Sequence, residues 1–331
     1  MSYGRFAFLS LAFLVVCGCG GGGAEVDAAP PAPDAGPANP LTPPDPSKGV
    51  QFAMDVTAPP QTEVWRCLVG SIPGVEPGQL LDFNLVESKQ SANIHHMDLS
   101  VLTLPEDDIE PGDYDCNVLY AQHPRLMDEI IIYASQHPEQ KLLLPQGTVA
   151  EVPSGVKTML EVHYVNTQDT VQTVFTRINA YWIDAHEVTN KIWGFAVRDT
   201  HLNIPAGGTT DEWTRCEMSS DIDLLVLSTH THALAMETEV FKWDGHQVGE
   251  KVYTNTDWHA PVLMDLTLAP IHVRAGEGFE FHCHYQNAGA HDVNWGFKST
   301  DEMCQMALVY TPGDPSITCT QVASSDGVLL P

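Results

Sequence analysis

Histidine is the residue to explain in this chain. Fifteen are present, as many as lysine and arginine together, and several stand at spacings that could gather a metal ion. His230-Thr231-His232 lies inside the apolar run LLVLSTHTHALA. On a strand, positions i and i+2 point to one face about 7 Å apart, which suits two imidazoles converging on one ion. His282 and His284, around Cys283, form a competing pair. With Cys283 in a disulfide, that strand would be stapled near its middle and both histidines left on its opposite face. His95-His96, in IHHM, opens an alternating strand, where neighbouring side chains face opposite ways. The two could share an ion only at a strand end or a bulge. His163, in LEVHY, shares a face with Glu161, opposite Leu160, Val162 and Tyr164, and taken alone reads as structural. Met303, in STDEMCQM, is by type an ordinary core residue, yet a thioether is a soft ligand that selects copper, Cu(I) in particular, over zinc. Two histidines with a methionine describe one kind of copper site, three histidines another.

The elements that must position these groups are strands. LLDFNLVE, HHMDLSVLTL, TMLEVHYVN, DLLVLSTHTHA, TEVFKWDG and GFEFHCHYQN are rich in β-branched and aromatic residues and alternate at period two. Pro, Gly, Asn and Asp punctuate them. A helix is expected around Asp128–Gln136, limited by Pro138. Many short strands with turns between them indicate antiparallel sandwiches. The length beyond residue 48 suits two of them, about 140 residues each, with a seam near 185–195.

Compartment and charge narrow the function. Arg5 and the 11-residue apolar run Phe6 to Val16 read as an export signal, too short to span a bilayer. Cys17 and Cys19 follow in VVCGCGGGG. Gly18 before Cys19 fits a bacterial lipoprotein signal better than Val16 before Cys17, with an ordinary secretory signal as the plainer reading. Residues 24–48 hold 8 of the 24 prolines and almost no large apolar side chains, which describes a disordered tether. Cys67, Cys116, Cys216, Cys283, Cys304 and Cys319 remain, an even number that suggests three disulfides in an exported chain. The formal charge is −28, with no basic cluster, so nucleic acid is excluded as a partner.

Taken in order, HHM, VHY, HTH and DEMC resemble the copper type II, ascorbate-dependent monooxygenases, a family that includes the peptidylglycine α-hydroxylating and dopamine β-hydroxylating enzymes. The resemblance covers roughly residues 50–321, supported by TEVWRC before the first motif and Asn203-Ile204-Pro205-Ala206-Gly207 between VHY and HTH. It implies an all-β fold of two packed antiparallel β-sandwich (jelly-roll-like) domains, one copper in each, with an open cleft between them. The expected layout is a signal peptide with a lipoprotein-like cysteine over 1–23, a Pro/Ala-rich tether over 24–48, and an electron-transfer copper domain over 49–188. A catalytic copper domain over 189–321 and a tail over 322–331 complete it. The resemblance gives His95, His96 and His163 to the first copper, and His230, His232 and Met303 to the second, catalytic one. It pairs Cys67 with Cys116, Cys216 with Cys319, and Cys283 with Cys304. The implied activity is hydroxylation of an activated C–H bond with O₂, the electrons coming from ascorbate or another one-electron reductant.

Departures bear on the substrate. An Arg and a Tyr that help hold the substrate carboxylate in the peptidylglycine enzyme correspond here to Ser228 and Ala307, and a neighbouring Asn to Gln305. A small neutral or cationic organic substrate is therefore expected rather than a carboxylate, with its binding residues unknown. Glu161 replaces a Gln and adds negative charge near the first copper. The expected location is outside the cytoplasm, as an outer-membrane or cell-surface lipoprotein tethered through Cys19, with no other contact to the membrane. The alternative is a copper-binding or electron-transfer lipoprotein of the same fold that hydroxylates nothing. A zinc hydrolase is a third reading, which the HTH pair allows and Met303 opposes.

Overall fold

The computed structural model describes residues 40–92, 94–102, 109–128 and 130–329. The expected signal peptide, Cys17, Cys19 and most of the tether lie outside them. From Gly49 onward strands are the main regular element of the described residues, and within the unit Asn39–Pro331 they form two pairs of facing sheets and a two-stranded ribbon, Asn203–Ile204 with Val293–Asn294.

In the first pair, one sheet runs Gly49–Ala58, Gln172–Trp182, Leu80–Gln90, Thr148–Pro153, Asn190–Lys191, with Glu139–Leu143 also on Leu80–Gln90. The other runs Gly112–Asp115, Thr62–Ser71, Lys157–Asn166, Ile94–Leu102, Ile130–Ser135. Alternation decides what lies between them. In GVQFAMDVTA, Val50, Phe52, Met54 and Val56 are buried, and they meet Leu99, Val101, Leu160 and Val162 of the facing sheet. Burying each such side chain contributes roughly 1.5–3 kcal/mol. Pairing is antiparallel except between Asn190–Lys191 and Thr148–Pro153.

The second pair repeats the plan. One sheet runs Trp193–Asp199, Cys304–Thr311, Ile222–His230, Met264–Asp265, with Ile271–Val273 also on Ile222–His230. The other runs Val248–Asn255, Ala235–Trp243, Gly278–Gln286, Thr209–Met218, Cys319–Ser324. Phe279, Phe281 and Cys283 pack between the layers against Met306, Leu308 and Tyr310.

Three disulfides are formed, Cys67–Cys116, Cys216–Cys319 and Cys283–Cys304, the pairs implied by the resemblance. The helix expected over Asp128–Gln136 is a correction. Ile130–Ser135 is a strand beside Ile94–Leu102, and the α-helix instead spans Cys116–Gln122, capped by Asp115. The run Ile-Ile-Ile-Tyr explains the outcome, since β-branched and aromatic residues lose χ1 freedom in a helix and pack well on a pleated edge. Among the described residues, no helix is long and apolar enough to cross a membrane.

Candidate metal centre

The adjacent pair His95-His96 needs a break in strand alternation, and one is present. Ile94–Leu102 pairs with Lys157–Asn166, and the register shifts between Ile94 and His96, after which His96 stands opposite His163. The bulge puts both rings on His163, with centroids 5.0 Å from it in each case. His230 is the last residue of its strand and His232 follows the strand end, so these rings also converge, 5.3 Å apart.

Both groups meet. His95 lies 4.9 Å from His232 and 5.6 Å from His230, and His96 lies 5.5 Å from His230, centroid to centroid. The open cleft implied by the resemblance does not separate them here. His282 and His284 are elsewhere, on the outer face of Gly278–Gln286, held by Glu280 and by Asp211 and Glu239. Their strand is stapled through Cys283.

Hydrogen bonds settle which nitrogen of four rings is occupied. His96 Nε2 donates to Glu161 (2.9 Å) and His163 Nε2 to Glu63 (2.6 Å), since a carboxylate only accepts. His232 Nδ1 donates to the carbonyl of Asp301 (2.9 Å). His230 Nδ1 faces Gln136 Oε1 (2.7 Å), and the Gln136 amide nitrogen donates to the Trp258 carbonyl (2.9 Å), which fixes the amide's orientation. The other nitrogen of each ring therefore faces inward, Nδ1 in His96 and His163, Nε2 in His230 and His232. Glu302 sets the backbone of the second group, accepting from the N–H of His232 (3.0 Å), Leu234 (2.7 Å) and Met303 (3.3 Å).

Burial works against charge on these rings. It drives His95, His230 and His163 below the ordinary imidazole value, and His232 down to about 4. His96 is the exception. Burial opposes its charge as well, but Asp98 and Glu161 together hold it above the ordinary value. The hydrogen bond from His163 leads the causes that hold Glu63 down at about 2.

A metal fits this donor set. His95 Nε2, His96 Nδ1 and His232 Nε2 are buried with no hydrogen-bond partner among the described residues. Such groups are costly to bury unless something binds them. His95 Nδ1 and His163 Nδ1 are 3.2 Å apart. Two nitrogens about 2.0–2.1 Å from one ion at near-tetrahedral angles stand about 3.3 Å apart, using zinc bond lengths. Ligand atoms of His95, His96 and His163 lie within 4.8 Å of one another, and so do those of His95, His230 and His232. His96, Asp98 and Glu161 form a further group of this kind.

Met303 is buried in the adjoining turn, its carbonyl accepting from Tyr285 (2.7 Å) and its sulfur from the Gln305 amide (2.8 Å). With His96 and His230 it borders a cavity of about 630 Å³. Strand register divides one cavity wall into three ranks. Arg198, Gln305 and His230 form the first. Ala196, Ala307 and Ser228 form the second, all small. Gly194, Val309 and Val226 form the third. Trp193, Phe195, Tyr133 and Phe297 close around them. The substitutions read at Ser228 and Ala307 thus face each other across one strand pair. Sequence reasoning missed Glu63, Gln136, Glu302 and Arg198. Only Glu302 carried a local signal, as the residue before Met303.

Comparison with known families adds one independent finding. Residues 199–328 match the family model described as copper type II ascorbate-dependent monooxygenase, C-terminal domain. The matched segment carries His230, His232, Met303 and two of the three disulfides, so this part of the chain is similar to that domain. No curated protein matches. Among solved structures, the major capsid protein P2 from bacteriophage PM2 is similar at 10% identity over 77% of this chain and 99% of that chain. Its TM-score of 0.28 carries no argument.

Proposed function

We propose that the chain is a copper-dependent monooxygenase that hydroxylates an activated C–H bond of a small organic substrate. The carrying observation is the convergence of His95, His96, His163, His230 and His232, with buried ring nitrogens left without a partner among the described residues, and with Met303 in the lining of a cavity that His96 and His230 share. His95, His96 and His163 are the ligands of an electron-storing copper, and His230, His232 and Met303 those of the catalytic one. Copper bound there supplies the one-electron steps that split O₂ between the substrate hydroxyl and water, using two electrons from ascorbate or another reductant and two protons.

The chain's own residues do the rest. Glu63, Glu161, Gln136 and the Asp301 carbonyl fix tautomers and ring orientations, which raises ligand basicity and limits reorganisation. Glu302 ties His232 to Met303. The small rank Ala196, Ala307, Ser228 leaves room for substrate next to the centre, while the aromatic wall excludes water. Arg198 shares the cavity lining with Asp98 and Glu161, acts on Asp98 and donates to Gln305 Oε1 (3.3 Å), so the site offers no free cation for a substrate carboxylate. An uncharged, mainly apolar substrate suits it best. In the proposed layout 49–188 and 189–321 are the two copper domains, carried outside the cytoplasm on a lipoprotein tether.

Copper-loaded protein should consume O₂ with ascorbate and a substrate taken from neutral, ammonium and carboxylate derivatives of one skeleton, fastest with the neutral series. Met303→Ala should abolish turnover and leave the circular dichroism spectrum unchanged. Normal turnover by that variant would remove Met303 from the mechanism. Tight copper binding with no reductant-dependent O₂ uptake on any substrate would favour a non-catalytic copper or electron-transfer protein.

A further inference from the structure

We propose that reducing electrons enter at a second cavity, lined by Glu63, Trp65, Arg66, Asp115, Asn117 and Lys298, which binds a small hydroxylated anion of the ascorbate type. The inference rests on the copper reading above and adds where the reductant docks. The cavity holds about 230 Å³, below the roughly 300–1,000 Å³ of sites for drug-sized ligands, so it suits a compact molecule. It shares no lining residue with the larger cavity that His96, His230 and Met303 border. Substrate and reductant therefore need not compete for one space. The second cavity also reaches the first histidine set. His163 has no exposed surface, yet two residues of this lining touch it. Glu63 accepts from His163 Nε2 (2.6 Å), and the Trp65 ring stands 5.6 Å from the His163 ring, centroid to centroid. A molecule in the cavity is one side chain away from a ring that water does not reach.

Charge and hydrogen bonding define the ligand. The chain has 15 Lys and Arg against 43 Asp and Glu, and two of those few cations stand on this small lining. Its carboxylates are already engaged. Glu63 accepts from His163 and from the Ser299 N–H and hydroxyl, both at 3.0 Å. Asp115 accepts from the N–H groups of Asn117 (2.9 Å) and Val118 (3.3 Å). Arg66 is held by Asp113 (2.8 Å). Lys298 is exposed and its ammonium makes no ion pair among the described residues. One ammonium is thus left for one negative charge, and the Asn117 amide with the spare carboxylate lone pairs for hydroxyls. An ene-diolate monoanion matches that set; an apolar reductant does not. On passing one electron by way of His163 to Cu(II) of the first set, such a monoanion releases one proton to water and leaves as a radical that still carries one negative charge. Two molecules in turn supply the two electrons of a turnover.

Two measurements test this without any assay of turnover. Calorimetric titration of ascorbate into the metal-free full chain, under argon, should show saturable binding at one site. Lys298→Glu, which turns an attraction into a repulsion, should weaken it about tenfold. Asn117→Trp, whose bulk takes up the space, should abolish it. In the copper-loaded chain, anaerobic loss of the Cu(II) paramagnetic resonance signal should have a rate that saturates with ascorbate. Lys298→Glu should raise the half-saturating concentration by the same factor. Reduction by the cation hexaammineruthenium(II) should not slow in that variant. Ascorbate that binds and reduces both variants like the unaltered chain, or a Lys298→Glu chain slowed equally with both reductants, would overturn the inference and leave the copper reading standing. A chain that takes up no copper would overturn that reading, and with it the use of the cavity for electrons, whether or not ascorbate binds.

Discussion

Removing the Cys283–Cys304 disulfide should cost less stability than removing Cys216–Cys319, yet far more copper affinity. The two bridges close loops of sequence separation 21 and 103. On the chain-entropy model these constrain the unfolded chain by about 3 and about 4.7 kcal/mol. Their positions invert that order at the site. Cys216 and Cys319 join neighbouring strands of one sheet, near the pairs Cys216↔Gln321 and Met218↔Cys319, and neither strand carries a histidine of the centre. Cys283 and Cys304 are fully buried and join facing sheets, and Cys304 directly follows Met303. Without that bridge Met303 keeps its bonds to Tyr285 and Glu302 but loses the covalent stop on its strand. Loss of a supporting group around a metal ligand typically costs 10–100-fold in affinity, or about 1.4–2.7 kcal/mol. Urea unfolding of the two paired Cys→Ala variants, metal-free, gives the first ranking. Competition for Cu(I) against a chromophoric chelator gives the second. The rankings should be opposite. If Cys283→Ala/Cys304→Ala bound Cu(I) like the unaltered chain, or if one variant were the weaker in both measures, the reasoning would be refuted.

Two other outcomes follow from particular charges. Glu161→Gln keeps an acceptor for His96 but removes a buried negative charge next to the first histidine set, so the reduction potential of copper held there should rise by up to about 100 mV. Redox titration reads it, and an unmoved potential would separate Glu161 from the metal's electronics. His284 offers a test of stability against pH. Burial disfavours its charge, but Asp211 (2.6 Å) and Glu239 (3.1 Å) outweigh that and raise it above the ordinary value. A raised imidazole stabilises the fold fully below its unfolded value of about 6.5 and loses that contribution as pH rises through the folded value. His284→Gln should therefore flatten the decline of the urea midpoint above pH ~6.5, and an unchanged slope would show that the pair contributes nothing.

What was legible in the sequence is what depends on residue type and short spacing. HTH could be found from its spacing, whereas HHM, VHY and DEMC gained meaning only from their shared order in the family they resemble. The condition placed on His95-His96, a strand end or a bulge, is met by the register shift between Ile94 and His96. The all-β class followed from period-two alternation. The illegible part is tertiary. Gln136 meets His230 across 94 residues of sequence and Glu63 meets His163 across 100. No local pattern joins such pairs, because they depend on how one pair of sheets leans on the other. The same lean brings His95 to His232, against the expectation of an open cleft. The expected helix at Asp128–Gln136 failed for a local reason, the Ile-Ile-Ile-Tyr run outweighing the flanking signals.

The two histidine sets differ in a way that bears on electron flow under the copper reading. Both rings of the first set whose outer nitrogens are engaged, His96 and His163, donate to carboxylates. The corresponding rings of the second, His230 and His232, donate to an amide and a backbone carbonyl. A carboxylate on the far nitrogen makes an imidazole a stronger donor and so favours Cu(II). A neutral acceptor does less, and the Met303 thioether favours Cu(I). Copper in the first set is then the better reductant and copper in the second the better acceptor, by virtue of the residues behind the ligands as much as the ligands themselves. That gradient runs toward the set whose His230 shares a cavity lining with Met303 and the small rank Ala196, Ala307, Ser228. An electron stored on the first set would thus move to the place where substrate is held.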